Sequence, residues 1–148
     1  MSGRGESGRS GTLRSHAGEH PNAARIRRMF EAFRNADVDT IRSMIPEDAV
    51  WRFPGRHGKL AGEHKGRDAI LAFLFNVQVL TDNTFHLDLL DVIADDTYAV
   101  ALFRGRGQRN GKTLDNPTCL RMRLSTDGQV VEVWEFVWDL YHVDDFWS

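Results

Sequence analysis

Residues 129–139 read Q-V-V-E-V-W-E-F-V-W-D, and this stretch constrains the fold more than any other. It alternates with the two-residue period of a β-strand. Val131, Val133, Glu135 and Val137 fall on one face, and Glu132, Trp134, Phe136 and Trp138 on the other. Both faces are rich in large or branched apolar groups, so the strand belongs in a sheet covered on both sides. Each face also carries a carboxylate. A carboxylate among valines lies at a sheet edge, is paired, or is a proton-transfer group with a raised pKa.

The turn signals upstream give this strand its partners. Asn110-Gly111 and Asp127-Gly128 are hairpin dipeptides, because these residue types tolerate the positive φ that tight hairpin turns require. Together with Asp95-Asp96 they divide the second half of the chain into four strands, at 84–94, 98–108, 112–124 and 129–138. A two-residue loop at Asp127-Gly128 places Leu124 opposite Val131, Met122 opposite Val133, Leu120 opposite Glu135 and Arg123 opposite Glu132. Arg123 then pairs with Glu132 across the strands, while the neighbours of Glu135 are aliphatic.

The first half reads as helices. Ile26, Met29, Phe30 and Phe33 make an apolar stripe over 22–35 with Asn22 as its cap. Asp37 caps a short helix with Val38, Ile41, Met44 and Ile45 inward, ended by Pro46. A third spans 67–80, with Ile70, Leu71, Leu74 and Val77 inward. Between them lie a strand at 49–53 and a loop at 55–66. The fold class is α+β, with the helices on one face of a curved antiparallel sheet.

Composition narrows the function classes. The 148 residues suit one domain, and a net charge of −2 gives no general pull toward nucleic acid or membrane. Arg104, Arg106, Arg121 and Arg123 crowd two neighbouring strands, but Asp115 and Glu132 can pair with them, which reads as a solvated face. Cys119 is the one cysteine, so neither an intrachain disulfide nor a cysteine-based zinc site is expected, and the compartment reads as cytoplasmic. No apolar run approaches the roughly 18 residues of a membrane span. Residues 1–20 hold five Gly and four Ser and read as a flexible tail before a domain over 21–148. Gly105, Gly107 and Gly111 sit in a hairpin and do not make a phosphate loop. His57 and His64 fall on the loop and His86 on the next strand. Each suits proton transfer near neutrality or simple solvent exposure, and none has metal-ligand spacing.

Five segments resemble a known family: F-E-A-F-R-N-A-D-V-D-T-I at 30–41, D-A-V-W-R-F-P-G at 48–55, L-A-G-E-H-K-G-R-D-A-I at 60–70, N-G-K-T-L-D-N-P at 110–117 and D-G-Q-V-V-E-V-W-E-F at 127–136. Over about residues 22–147 the chain resembles the nuclear-transport-factor-2-like superfamily and, within it, the SnoaL-like proteins. The resemblance implies a cone, a curved sheet wrapped round a long helix, with an apolar pocket at its open end. It also implies homodimers through the outer face of the sheet. It does not fix the activity, because isomerases, cyclases, hydrolases, lyases and non-catalytic binders share the fold. The ketosteroid-isomerase positions fall on Phe30, Phe53 and about Leu120, so that catalytic set is absent. In the limonene-epoxide-hydrolase type the second Asp falls on Glu135, but Ala101 and Phe103 lie nearest to its Arg-x-Asp pair. SnoaL-type cyclases use a last-strand Asp as acid/base, for which Glu135 or Asp139 would stand in.

Residues and resemblance together nominate Glu135 as a general acid/base. Arg52 is the candidate for fixing an oxyanion, with Asp139 and His57 assisting. The structural alternatives are a Glu135–Arg52 ion pair, a snorkelling Arg52, a helix cap at Asp139 and an exposed His57. Phe30, Trp51, Phe53, Leu120, Met122, Val133 and Val137 are expected to line the pocket. One reading is an enzyme needing no cofactor or metal, performing cyclisation, isomerisation or hydrolysis on an apolar polyketide-like or polycyclic substrate. The other is a non-catalytic ligand-binding or dimerisation module of the same fold. The expected partners are an apolar small molecule and a second copy of the chain, with neither nucleic acid nor membrane.

Overall fold

Residues 18–148 are described by a computed structural model. The chain runs α1 (Pro21–Arg34), α2 (Val38–Met44), β1 (Val50–Phe53), β2 (Gly62–Lys65), α3 (Arg67–Leu80), β3 (His86–Ala94), β4 (Tyr98–Arg109), β5 (Lys112–Leu124), β6 (Val130–Val137) and α4 (Leu140–Trp147). The strands form one curved sheet in the order β2-β1-β6-β5-β4-β3. β1 runs parallel to β6, and every other neighbour is antiparallel. This is the α+β class read from the sequence. Among the described residues no helix is long and apolar enough to cross a membrane.

The Asn110-Gly111 turn forms as expected, with Asn110 at φ 51°, Gly111 at φ 75° and Arg109 opposite Lys112. The Asp127-Gly128 turn differs. Gly128 has positive φ but Asp127 does not, so the two-residue turn that needs both is not made. The loop closes instead through Ser125, whose N–H donates to the Gln129 carbonyl at 2.9 Å. A bulge between Arg123 and Leu124 absorbs the difference, and Leu124 faces Val130 rather than Val131. Beyond the bulge the expected register returns, with Arg123 opposite Glu132, Met122 opposite Val133 and Leu120 opposite Glu135.

Three boundaries also differ. The segment read as a loop over 55–66 contains β2, an edge strand of Gly62, Glu63, His64 and Lys65 without a large apolar residue to signal it. α1 is capped two residues earlier than Asn22: the His20 ring nitrogen accepts from the Asn22 N–H at 3.1 Å, and Pro21 opens the helix where its missing N–H costs nothing. Of the expected tail, residues 1–17 lie outside the described residues. Glu19 is ion-paired with Arg27 at 3.2 Å, so ordered packing reaches back before residue 21.

Alternation divides the sheet into two unlike faces. Glu135, Leu120, Ala101 and Val92 form one row across β6, β5, β4 and β3 on the inner face. Against this face pack Ile26, Met29 and Phe30 of α1, Ile70 and Phe73 of α3, and Phe146 of α4. The next row, on the outer face, is Phe136, Cys119 and Leu102. The crowded arginines also lie outside. Arg104 grips Asp115 with two 2.6 Å hydrogen bonds, and Arg121 lies 5.1 Å from the ring centre of Tyr98.

Candidate functional site

The inner face, α1 and α3 enclose an apolar cleft of about 80 Å³ that is partly open to solvent. Its walls are aromatic and aliphatic: Phe30 and Phe33 from α1, Trp51 and Phe53 from β1, Phe73 and Val77 from α3, Leu114 and Leu120 from β5, Trp147 from α4. Indole nitrogens aside, two lining side chains are polar, Glu135 and Asn116. The enclosed volume is roughly half that of an apolar cavity of ~150 Å³ that holds one benzene. Even a single aromatic ring therefore extends toward the open side or displaces wall side chains.

Glu135 reaches the cleft because β6 alternates and β5 fixes its register. Its residue retains some accessible surface, since it lines the cleft, but its carboxyl group sits deep in protein. Desolvation there pushes its pKa up from the ordinary 4.5 to about 7. One contact works the other way. The Trp51 indole N–H donates to Oε1 at 2.8 Å and favours the ionised form. Trp51 is opposite Val133 in the parallel β1–β6 pair, so both side chains share the inner face. The ring of Trp51 is set by Phe73, 5.5 Å away between centroids. Phe73 also packs on Phe53 at 5.6 Å and stacks on His64 at 4.3 Å.

Asn116 sits at the other end of β5. The residue opposite it is Gly105, which has no side chain to offer. A Cβ on Gly105 would lie 3.2 Å from the Phe85 ring, so the glycine admits that ring over the strand. Asn116 is 6% exposed, and its Oδ1 is buried with no hydrogen-bond partner.

The structure brings together five of the nominated residues: Phe30, Trp51, Phe53, Leu120 and Glu135 all line the cleft. Phe30, Phe53 and Leu120, on or near which the resemblance puts the isomerase positions, are apolar walls. Met122 and Val133 are packed into the core at 0% and 2% exposure, and Val137 lies against it. Arg52 is not beside Glu135. It follows Trp51 by one residue and therefore points to the outer face, where it lies 4.0 Å from the Trp134 ring centre. There it pairs with Glu132 at 3.1 Å and Glu63 at 3.3 Å. Glu132 accepts from the Trp134 indole at 3.1 Å, and its contact with the expected partner Arg123 is longer, at 3.9 Å.

Asp139 caps α4, accepting the His142 N–H at 3.1 Å, and does not line the cleft. His57 lies on the surface loop between β1 and β2. Its backbone N–H, with those of Arg56 and Gly58, converges on the Asp144 carboxylate of α4 at 2.7–3.1 Å. These three N–H donors, Gly58 foremost, hold the Asp144 pKa below the usual range. Gly55 at φ 117° opens this loop, and a Cβ there would collide with the Asp144 carboxylate. Asn116 was not nominated from sequence, although one signal was present. It is a polar break in the inward row Leu114, Asn116, Thr118, Leu120 and Met122.

Comparison with known proteins places this geometry. The SnoaL-like domain family matches residues 26–133, a span that ends just short of Glu135. An uncharacterized protein of Mycobacterium tuberculosis is 30% identical over 124 residues, covering 83% of this chain and 93% of the relative. Among solved structures, Bal32a from a soil-derived mobile gene cassette is 37% identical with a TM-score of 0.81, covering 86% of this chain and 96% of that one. A protein from Jannaschia sp. CCS1 assigned as a SnoaL-like polyketide cyclase is 19% identical with a TM-score of 0.71, covering 93% and 98%. At that identity the likeness is one of fold. The same architecture recurs in solved cystatin-like and NTF2-like proteins.

Proposed function

The chain belongs to the SnoaL-like domain family, and from that premise we propose that it is a proton-transfer enzyme acting on a small apolar ketone or polyketide-like substrate, with Glu135 as general acid/base. The observation that carries this reading is a carboxyl group buried in an apolar cleft with the Trp51 indole as its hydrogen-bond partner. Burial that lifts its pKa to about 7 leaves it shared between both protonation states near neutrality. That is the condition under which one group serves as base and then as acid. The ionised carboxylate takes a proton from the carbon beside a carbonyl, leaving an enolate. The resulting carboxylic acid returns that proton to a different carbon, which is isomerisation, or to an oxygen after ring closure, which is cyclisation.

The test uses 2-tetralone, a two-ring ketone with an acidic C–H, in deuterated water. The protein accelerates deuterium exchange at the carbon beside the carbonyl, and the rate climbs with pH through about 7. Glu135→Gln lowers the exchange by about 10²–10⁴-fold. Full exchange in that variant would sink the assignment.

One observation favours a second reading, a non-catalytic binder. Glu135 is the one titratable carboxyl, imidazole or amine among the lining side chains, so no second such group stands ready to relay its proton. Tight binding of 2-tetralone without exchange would select that reading.

We further propose that two copies associate through the outer face of the sheet. Phe136 and Trp138 are 52% and 86% exposed there, continuous with Cys119 and Leu102. Sedimentation should give a dimer for the wild type and a monomer for Phe136→Glu. A wild-type monomer at tens of micromolar would refute it.

A further inference from the structure

Asn116 has no structural task that accounts for its place. Its amide oxygen is buried without a donor. The cross-strand position is a glycine, and the ring over that glycine is Phe85, which cannot donate a hydrogen bond. Phe85 also lies over Gly107, the partner of Leu114, and 6.4 Å from Trp147 between ring centres, so apolar groups that line the cleft surround this amide. An unpaired amide in such surroundings is costly to the empty protein. The cost disappears when a ligand supplies the missing partner. A small turn about χ2, which for Asn is a broad torsional well, presents the amide to the cleft.

Asn116 and Glu135 do not address the same ligand atom. Glu135 faces Leu120, four positions from Asn116 along β5, or about 13 Å between backbone sites at 3.3 Å per residue. The cleft thus has a proton-transfer end and a hydrogen-bonding end, joined by apolar walls.

We infer that Asn116 is a specificity-determining residue of this cleft, selecting a ring ligand that carries a hydroxyl group, whose O–H donates to Oδ1, at the end remote from Glu135. This rests on the cleft being the ligand site, but not on Glu135 being catalytic. The chemistry recognised is that of a phenol or stable enol on an otherwise apolar, planar skeleton, as distinct from the bare hydrocarbon.

The test compares 2-naphthol with 2-methylnaphthalene, which replaces the hydroxyl by a methyl of similar size. Binding is read from quenching of tryptophan fluorescence, because Trp51 and Trp147 line the cleft. The wild type should prefer 2-naphthol by about tenfold. Asn116→Leu should erase that preference while keeping or improving 2-methylnaphthalene binding, and its Tm without ligand should be unchanged or higher. Glu135→Gln should keep the preference. The inference is overturned if the wild type shows no preference, or if Asn116→Leu retains it. A lowered Tm in both Asn116→Leu and Asn116→Ala also overturns it, since the amide would then be structural. Failure of both probes to bind removes the ligand site itself and this inference with it. Binding with the expected preference but no 2-tetralone exchange refutes the catalytic reading alone.

Discussion

Glu135→Gln should make the protein about 3 kcal/mol more stable than the wild type at about pH 8 and leave it nearly unchanged at about pH 4.5. The cause is the folded-state pKa of about 7 against an ordinary value of 4.5. Between those values the unfolded chain has released a proton that the folded chain still holds. Wild-type stability therefore falls as pH rises through this window and levels off above about 7. Glutamine carries no such proton, and its side-chain oxygen can still accept from Trp51. The depressed carboxylates work in the opposite direction and at lower pH. Asp37, Asp95, Asp115 and Asp144 are held below their usual value of 3.8 by hydrogen bonds from Thr40, Tyr98, Arg104 and Gly58 respectively. Their stabilisation is present above that value and is lost as pH falls through their lowered pKa values. They cancel in the difference between the two proteins. Urea denaturation at both pH values measures that difference. Parallel pH profiles would mean that the carboxyl is not desolvated, and the acid/base reading would lose its physical basis.

Phe73→Ala should cost about 3–5 kcal/mol, the usual range for deleting a buried phenyl ring. Phe73 is 3% exposed and is the ring that Trp51, Phe53 and His64 share. Its loss also changes the chemistry of the cleft. Removing the ring enlarges the space beside Trp51, and the carboxyl at its margin gives that space a polar contact for water. Two effects on Glu135 then compete. Water reduces the desolvation that raises its pKa, while a loosened Trp51 weakens the hydrogen bond that lowers it. Desolvation is the larger of the two, so the pKa should move down from about 7. Urea denaturation gives the stability, and carboxyl ¹³C NMR titration gives the shift. A loss below about 1 kcal/mol, or an unmoved titration, would show that Phe73 does not organise this wall.

The sequence placed Glu135 correctly because its position depends on two local signals, strand alternation and the antiparallel pairing with β5. The bulge at Arg123 and Leu124 could have shifted that register. It lies on the turn side of Met122, so the pairing at Leu120 survived. For Arg52 the sequence leaves both a pocket role and a snorkelling surface position open, and the same alternation decides between them. Trp51 and Phe53 are the apolar alternates of β1, which assigns Arg52 to the other face. β2 escaped because an edge strand of four polar or small residues has no hydrophobic period. The parallel β1–β6 contact joins segments far apart in sequence, and no turn between them records it. Trp51 therefore could not be identified as the partner of Glu135. Asn116 was within reach. The Asn110-Gly111 hairpin alone puts Gly105 across from it, but an orphaned amide is recognised only when the rings around both residues are known.

The junction of α4 with the β1–β2 loop bears on kinetics. The Asp144 carboxylate ties three successive N–H groups to the helix that carries Trp147. The bonds from Arg56 and His57 are solvent-exposed and water can replace them, while that from Gly58 is partly shielded and holds the junction closest. Asp144→Asn is therefore expected to loosen the wall that Trp147 lends to the cleft, and so to speed the exchange of any molecule lodged there.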